Sequence, residues 1–116
     1  MNILVTGSSG FVGRNICNQI AKKNSIIGIY NKNNKNITYN SIKLDLCKNL
    51  ESSIIKGIFK DKKIHSVIHL AGFLAEKNNS KNFDLFEKNI KITKNLINIC
   101  KVIKPKNFIN FSTMSV

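Results

Sequence analysis

The chain has 116 residues, a length that accommodates one globular domain. Hydrophobic residues make up 42% of it and charged residues 22%, a balance typical of globular proteins that excludes a disordered tail. The formal net charge is +13, carried by 18 lysines and a single arginine without any block of five or six like charges.

The positive charge raises the question of a nucleic-acid-binding surface. Such surfaces usually depend on arginine, whose planar fork binds phosphates and guanine in pairs. Lys, Ile and Asn, which A/T-rich codons can encode, together make up 55 of the 116 residues. A codon bias therefore explains the dispersed lysines better, and salt-sensitive binding to DNA of any sequence would support the alternative.

Other protein classes are excluded by simple patterns. No apolar run approaches the roughly 18 residues needed to cross a bilayer. No basic stretch precedes the short apolar segment at the N-terminus, so we expect no signal peptide and a cytoplasmic protein. Cys17, Cys47 and Cys100 are widely spaced and form no Cys-x-x-Cys pair, so neither a disulfide framework nor a metal site is expected.

Short apolar runs alternate along the chain with longer amphipathic stretches. The first helix carries Phe11, Val12, Ile16 and Ile20, which we expect to pack against the sheet, and Pro105 ends the last helix. The elements predicted in chain order are strand 3–5, helix 11–23, strand 26–30, a polar loop at 31–36, strand 41–44, helix 50–60, strand 66–70, helix 83–101 and strand 108–111.

Strands interleaved with helices predict a parallel sheet, because right-handed crossovers place the helices on its faces. The fold class is therefore α/β, a Rossmann-type doubly wound sheet with the strand order 3-2-1-4-5. We expect residues 1–116 to form a single nucleotide-binding domain.

Three glycines, Gly7, Gly10 and Gly13, lie between the first strand and the first helix. In this Gly-x-x-Gly-x-x-Gly spacing the first permits a tight turn, the second lets a pyrophosphate approach the backbone, and the third lets helix and strand pack closely. The phosphates would meet the start of the helix at Ser9, Gly10, Phe11 and Val12. A structural βα turn without a ligand is the alternative.

The loop Thr6–Gly13 resembles that of the extended short-chain dehydrogenases/reductases, the NAD-dependent epimerase/dehydratase family. The resemblance covers the whole chain. It continues through Asp45-Leu46 and through the strand end Val67-Ile68-His69-Leu70-Ala71-Gly72. The helix segment 89–96 is also similar, with Ile92 in place of the usual glycine. Residues 107–116 are similar to the family's strand that ends in Ser-Ser/Thr-x-x-Val-Tyr-Gly.

The resemblance implies roles for several of these residues. It implies that the Asp45 carboxylate contacts the adenine amine, with Leu46 beside it. Leu70, Ala71 and Gly72 would lie by the nicotinamide ribose, and Asn89 would also contact the cofactor. From the residues alone, Asp45 could cap the following helix, Asn89 could be a solvated helix residue, and His69 could be a packed strand-end histidine.

Catalysis in the family uses a Ser or Thr together with a Tyr-x-x-x-Lys pair on one helix turn. Thr113 matches the hydroxyl position, and its neighbour Ser112 is assigned a structural role. The only tyrosines are Tyr30 and Tyr39, and Tyr39 with Lys43 has the spacing but lies in a segment predicted to be extended. We therefore expect the chain to be the front part of a longer enzyme and to be inactive alone. In the isolated chain the fifth strand would leave an apolar sheet edge exposed, which favours association.

Two departures from the family pattern bear on substrate and cofactor. Met114 and Ser115 stand where 4,6-dehydratases have Asp-Glu, which disfavours a dehydratase and leaves an epimerase or a reductase. Tyr30 stands where NAD-preferring members have an acid that binds the ribose, and Lys32 follows it, which favours NADP over NAD.

The favoured hypothesis is the NAD(P)-binding part of a sugar-nucleotide epimerase or reductase, with a nucleotide sugar as its substrate. The helix 83–101 resembles one that the family uses for dimerisation, so the full-length protein is expected to be a homodimer. The alternative is a non-catalytic nucleotide-binding or regulatory module that ends near Val116.

Overall fold

The computed structural model describes residues 1–32, 39–72 and 82–111. These residues form five strands and three helices. In chain order the elements are β1 (Asn2–Thr6), α1 (Phe11–Ile20), β2 (Ser25–Tyr30), β3 (Asn40–Lys43), α2 (Ser52–Phe59), β4 (Ser66–His69), α3 (Asn82–Ile103) and β5 (Asn107–Asn110).

The five strands form one parallel sheet in the order β3-β2-β1-β4-β5. This order confirms the predicted doubly wound α/β fold. At the central strand, Thr6 pairs with Ile29 of β2 on one side and with His69 of β4 on the other. Because parallel strands end at the same edge, these three residues mark the carboxyl edge of the sheet, where such folds bind ligands.

The chain divides into two compact units, which are described separately. The first consists of Met1–Leu44, Lys63–Leu70 and the segment from Pro105 onward, and it contains the sheet and α1. Its core cluster joins the β-branched residues of the strands to the inner face of α1. The buried members are Ile3, Val5, Cys17, Ile26 and Ile68, with Ile16 and Ile20 half-buried against them.

Two expectations for α1 were wrong. The buried stripe of the helix follows Gly13, Ile16, Cys17 and Ile20, the i, i+3, i+4, i+7 pattern of one helix face. Phe11 lies on the opposite side of that face and is 85% exposed, and Val12 is also exposed, so neither packs in the core.

The first helix also ends earlier than predicted, at Ile20 rather than at residue 23. The side-chain amide of Asn24 donates a hydrogen bond to the carbonyl of Ile20, at 3.1 Å. This contact satisfies one of the carbonyls that a helix end leaves without a partner, and it competes with further helical turns.

The second unit consists of Asp45–Lys62 and Ala71–Lys104, in which α2 packs on α3. Ile55 and Phe59 are buried on α2, and Ile92, Leu96 and Ile99 are buried on α3. Lys104 follows α3 with a φ of 48°, and its amide donates to the carbonyl of Cys100 at 2.7 Å. This left-handed residue, followed by Pro105, ends the helix close to the predicted position.

Among the described residues, β5 forms one edge of the sheet, as predicted, and its apolar side chains are exposed. Phe108 is 44% exposed and Ile109 is 49% exposed. Within the same part of the chain, no helix combines the length and the apolar character needed to span a membrane.

Candidate nucleotide-binding site

The glycine loop joins the end of β1 to the start of α1, as predicted. Gly7 has a φ of 70°, a backbone conformation that L side chains rarely adopt, so this position requires glycine. The Gly7 carbonyl accepts a hydrogen bond from the Gly10 amide at 3.2 Å, and the Gly10 carbonyl accepts one from the Arg14 amide at 2.9 Å. The loop therefore turns tightly into the first turn of the helix.

Gly10 and Gly13 meet very different surroundings. A Cβ atom at Gly13 would overlap the Gly7 carbonyl and would lie 2.9 Å from the Ser8 Cα, so the packing of α1 on the loop requires glycine there. A Cβ atom at Gly10 would lie 3.5 Å from the Gly7 carbonyl oxygen, which is an ordinary contact. The fold itself thus demands glycine at position 13 but not at position 10.

Ser8 ties the loop to the neighbouring strand. Its side chain is fully buried, and its hydroxyl donates to the carbonyl of Ile29 at 3.3 Å. The same carbonyl accepts from the amides of Gly7 and Ser8, at 3.2 and 3.4 Å. Gly28 leaves room for this contact, because a Cβ atom there would lie 2.8 Å from the Ser8 Cβ and 3.0 Å from the ring of Tyr39.

Tyr39, the residue directly before β3, also holds the glycine loop. Its hydroxyl donates to the Ser8 carbonyl at 2.7 Å. Burial raises the pKa of Tyr39 to about 12, and the neighbouring Cys17 acts in the same direction. Burial also raises the pKa of the Cys17 thiol. Tyr39 is therefore a neutral hydrogen-bond donor, and because β3 begins at Asn40, its spacing to Lys43 does not place the two on a helix turn.

The N-terminus of α1 has no side-chain hydrogen bond at its cap, Gly10, and no acidic residue in its first turn. The first amides of a helix have no partner within the helix, and the helix dipole makes this end positive. The backbone at Phe11 and Val12, whose side chains are exposed, therefore offers donors suited to an anionic group. Ser9 is half-buried in the loop that leads to it.

The ends of β1 and β4 are joined by a buried polar contact that sequence reasoning did not anticipate. The Thr6 hydroxyl lies 2.6 Å from Nδ1 of His69, and it accepts a hydrogen bond from the Leu70 amide at 3.1 Å. Burial lowers the pKa of His69, which is therefore neutral at pH 7. The ring centroid of Phe108 lies 6.3 Å from that of His69, and the two rings are tilted relative to each other. These contacts favour the packed strand-end interpretation of His69.

The end of β2 carries Tyr30, and the Tyr30 carbonyl accepts from the Leu44 amide at 2.9 Å. Lys32 follows two residues later with an exposed side chain. The sequence has no acidic residue between Ile29 and Asp45. The strand end that binds the ribose in Rossmann folds is thus without a carboxylate of its own.

In the second unit, Asp45 opens a short irregular segment. Its Oδ1 accepts a hydrogen bond from the Cys47 amide at 2.9 Å, the contact of an Asx turn. The N-cap of α2 is Glu51, so the alternative in which Asp45 caps that helix is wrong. Leu46 is buried, and its carbonyl accepts from the side-chain amide of Asn95 at 2.6 Å.

Asn89 and Gly72 approach each other in the same unit. A Cβ atom at Gly72 would lie 3.2 Å from Oδ1 of Asn89, which is tighter than most real contacts. Asn89 is half-buried on α3. Ala71 is half-buried and Gly72 is exposed, both directly after the strand-end segment.

Other predicted residues lie outside the described part of the chain. These are Ser112, Thr113, Met114 and Ser115. In the residues that the structure describes, no group of three or more metal-ligating side chains occurs.

Sequence reasoning assigned no site role to Thr6, Ser8, Gly28, Tyr39 or Asn95. Their contacts join positions 20 to 63 residues apart, which no local pattern predicts.

Known proteins match this chain over nearly its whole length. The model of the NAD dependent epimerase/dehydratase family matches residues 3–116. A curated Dictyostelium discoideum protein, dTDP-D-glucose 4,6-dehydratase, is 35% identical over 126 residues, which cover 98% of this chain. The matched region is 29% of that relative's length.

Solved structures of similar fold also extend beyond the chain. The UDP-glucose 4-epimerase of Thermotoga maritima, solved with UDP-glucose, superposes with a TM-score of 0.81 at 22% identity, covering 97% of this chain and 38% of its own. The UDP-glucuronic acid 4-epimerase of Bacillus cereus, in complex with NAD, gives 0.75 at 28% identity, covering 100% and 40%. These likenesses confirm the Rossmann-type fold.

Proposed function

Because the chain belongs to the NAD dependent epimerase/dehydratase family, we propose that it binds NAD or NADP through its glycine loop, as the cofactor-binding part of a sugar-nucleotide enzyme. The observation that carries this proposal is the contrast between Gly13 and Gly10. Packing accounts for glycine at position 13, whereas position 10 would accept a methyl group. A glycine there is explained by a pyrophosphate that approaches the backbone at the uncapped start of α1.

The proposal assigns a task to each predicted residue. Gly7, Gly10 and Gly13 shape the loop, and the backbone of Ser9, Phe11 and Val12 binds the phosphates. Asp45, with Leu46, accepts from the adenine amine. Leu70, Ala71 and Gly72 lie by the nicotinamide ribose. Asn89 also contacts the cofactor, and Thr113 binds the reacting sugar oxygen.

We infer that the chain binds NADP at least as tightly as NAD. The absence of a carboxylate between Ile29 and Asp45 removes the repulsion that a 2′-phosphate would meet. Lys32, exposed beyond the end of β2, supplies a positive charge nearby in sequence. Nε of Arg14 is buried without a hydrogen-bond partner among the described residues, and its guanidinium is a further cation of the first unit. The NAD that is bound to the UDP-glucuronic acid 4-epimerase of Bacillus cereus favours NAD instead.

The bound cofactor would supply a hydride acceptor for a sugar carbon. Within this chain, Thr113 would hold the sugar oxygen, while neither tyrosine serves as the base. Tyr39 donates to Ser8 and has a pKa near 12, and Tyr30 ends β2. We therefore propose that the base belongs to a part of the protein that this chain does not include and that the chain alone binds cofactor without turnover.

The reaction class has two candidates. Met114 and Ser115 lack the acid–base groups of a dehydratase, which favours an epimerase or a reductase. The dehydratase from Dictyostelium discoideum favours a 4,6-dehydratase instead. Incubation of the complete protein with UDP-glucose and with dTDP-glucose separates the two, because an epimer retains the elements of water and a 4-keto-6-deoxy sugar has lost them. Cytoplasmic location and a homodimer belong to the same proposal for the complete protein.

A titration of NADPH and NADH fluorescence with the chain tests cofactor binding. We expect saturable binding by the chain and by Gly57→Ala, which alters an exposed α2 position with no atom near the new methyl group. Gly10→Ala should fold like the parent chain but bind at least tenfold more weakly, because its methyl group occupies the phosphate approach. Equal binding by Gly10→Ala and the parent chain would contradict the proposal. No binding by any of the three would also contradict it.

A further inference from the structure

We propose that Asn95 is a positioning residue for adenine recognition, which holds the segment from Asp45 to Lys48 in the form that presents the Asp45 carboxylate. This inference rests on the proposed function, because it assumes that Asp45 accepts a hydrogen bond from the adenine amine. It assigns to α3 a task in cofactor specificity that its packing against α2 does not require.

The side-chain amide of Asn95 makes two hydrogen bonds to this segment. Its side chain is 7% exposed, and its Nδ2 donates to the Leu46 carbonyl at 2.6 Å and to the Lys48 carbonyl at 2.8 Å. An asparagine amide has two hydrogens, so both are used to bind the backbone of one short loop. A single planar amide thus bridges two carbonyls that lie two residues apart.

The same loop fixes the Asp45 carboxylate. The Cys47 amide, between the two bridged carbonyls, donates to Asp45 Oδ1 at 2.9 Å, and the Lys48 amide lies 3.3 Å from the Asp45 carbonyl. The segment belongs to no helix or strand, so these bonds, the Asn95 bridge and the burial of Leu46 hold its shape. A carboxylate accepts about four hydrogen bonds, so the bond from Cys47 orients the group and leaves it able to accept from a ligand amine.

A purely structural asparagine would have a different consequence. Its loss would lower the stability of the protein and would reduce the affinity for both dinucleotides to the same extent. A positioning residue acts through Asp45, so its loss should selectively reduce the preference for a base that carries the 6-amino group. The ratio of the affinities for NAD and for nicotinamide hypoxanthine dinucleotide, which lacks that amine, isolates this effect.

The experiment compares both dinucleotides by calorimetric titration of the chain and of three variants. The control is Asn98→Ala, the same substitution at an exposed position of the same helix. The parent chain and Asn98→Ala should favour the adenine cofactor about tenfold, the scale of one charge-assisted hydrogen bond. Asn95→Ala and Asp45→Asn should both bring the ratio to within about twofold of unity.

Thiol labelling separates loop release from general unfolding. Cys47 lies in the loop and is half-buried, whereas Cys17 is fully buried in the first unit. In Asn95→Ala we expect faster maleimide labelling of Cys47 with labelling of Cys17 unchanged. Faster labelling of both would show that the whole protein is destabilised. If Asn95→Ala does not fold, Asn95→Ser, which keeps one donor, is measured in its place.

The outcomes are distinct. An unchanged affinity ratio in the folded Asn95 variant, with Cys47 labelled at the parent rate or together with Cys17, overturns the positioning role. Failure of the parent chain to bind either dinucleotide overturns the proposed function itself.

Discussion

The hydroxyl of Thr6 lies 2.6 Å from Nδ1 of His69, so the last residues of β1 and β4 are joined by a side-chain hydrogen bond as well as by the sheet. Thr6 immediately precedes Gly7, and His69 precedes Leu70 and Ala71, two of the predicted site residues. The Leu70 amide, which donates to the same hydroxyl, completes the link. A neutral imidazole therefore fixes the geometry from which both segments leave the sheet.

This contact predicts how stability depends on pH. Burial lowers the pKa of His69 below its ordinary value of 6.5, so just below that pH the unfolded chain binds a proton and the folded chain does not. The contribution of His69 to the free energy of unfolding should therefore be constant above about pH 6.5. It should fall as the pH drops from there toward the folded-state pKa. Urea denaturation between pH 7.5 and pH 5 measures it.

Two histidine variants provide the comparison for that measurement. His69→Gln should flatten this part of the pH dependence, whereas His65→Gln, at the other histidine, should retain the fall that His69 causes. A parent chain whose stability is constant over the range would contradict the assignment of a buried neutral imidazole.

The glycines of the chain should respond oppositely to alanine. Gly13→Ala should lower the free energy of unfolding by about 3 kcal/mol or abolish folding, because its methyl group would overlap the backbone of the loop. Gly57→Ala should raise it by about 0.5 to 1 kcal/mol, because alanine has the higher helix propensity and no atom lies within 4 Å of the new methyl group. Thermal denaturation followed by circular dichroism measures both. Similar stabilities for the two variants would show that the loop and α1 are not in contact as described.

Removal of the Tyr39 hydroxyl should loosen the glycine loop. Tyr39→Phe keeps the ring beside Gly28 but leaves the Ser8 carbonyl without its donor, so we expect a loss of about 1 kcal/mol in stability. Because the pKa of Tyr39 is raised to about 12, its contribution is full below pH 10 and is lost as the pH rises toward 12. The stability difference between the parent chain and the variant should therefore narrow above pH 10. A difference that is absent at pH 8, or one that does not change with pH, would count against this bond.

The end of β2 should determine the choice between the two cofactors. The parent chain should bind NADPH at least as tightly as NADH. Tyr30→Asp places a carboxylate where it can bind the ribose hydroxyls and repel a 2′-phosphate, so it should shift the affinity ratio toward NADH by about tenfold. Fluorescence titration measures the ratio. A parent chain that strongly prefers NADH would contradict the inference about NADP.

Local patterns in the sequence predicted the sheet and the glycine loop well. The order of β3-β2-β1-β4-β5 follows from the alternation of strands and helices, and the loop follows from three glycines after an apolar strand. The requirement for glycine at positions 7 and 13 is confirmed by the φ of Gly7 and by the packing around Gly13.

What the sequence could not predict depends on contacts between distant positions. Tyr39 has the spacing of a catalytic pair with Lys43, yet its role in the structure is to hold Ser8, which lies 31 residues earlier. The apolar type of Phe11 suggested burial, but the helix stripe that faces the core begins at Gly13. Asn95 is one of 18 asparagines, and only its position opposite the Leu46 and Lys48 carbonyls distinguishes it.

The central claim is that a dinucleotide binds at the glycine loop, and amide chemical shifts of the ¹⁵N-labelled chain during titration with NADPH test it most directly. We expect large, saturable shifts for the amides of Gly7, Ser9, Gly10, Phe11 and Val12, with little change at Gly57 on the exposed face of α2. Small shifts spread over the lysine-rich surface, with the amides of the glycine loop unchanged, would contradict the claim and would favour a nonspecific polyanion-binding surface instead.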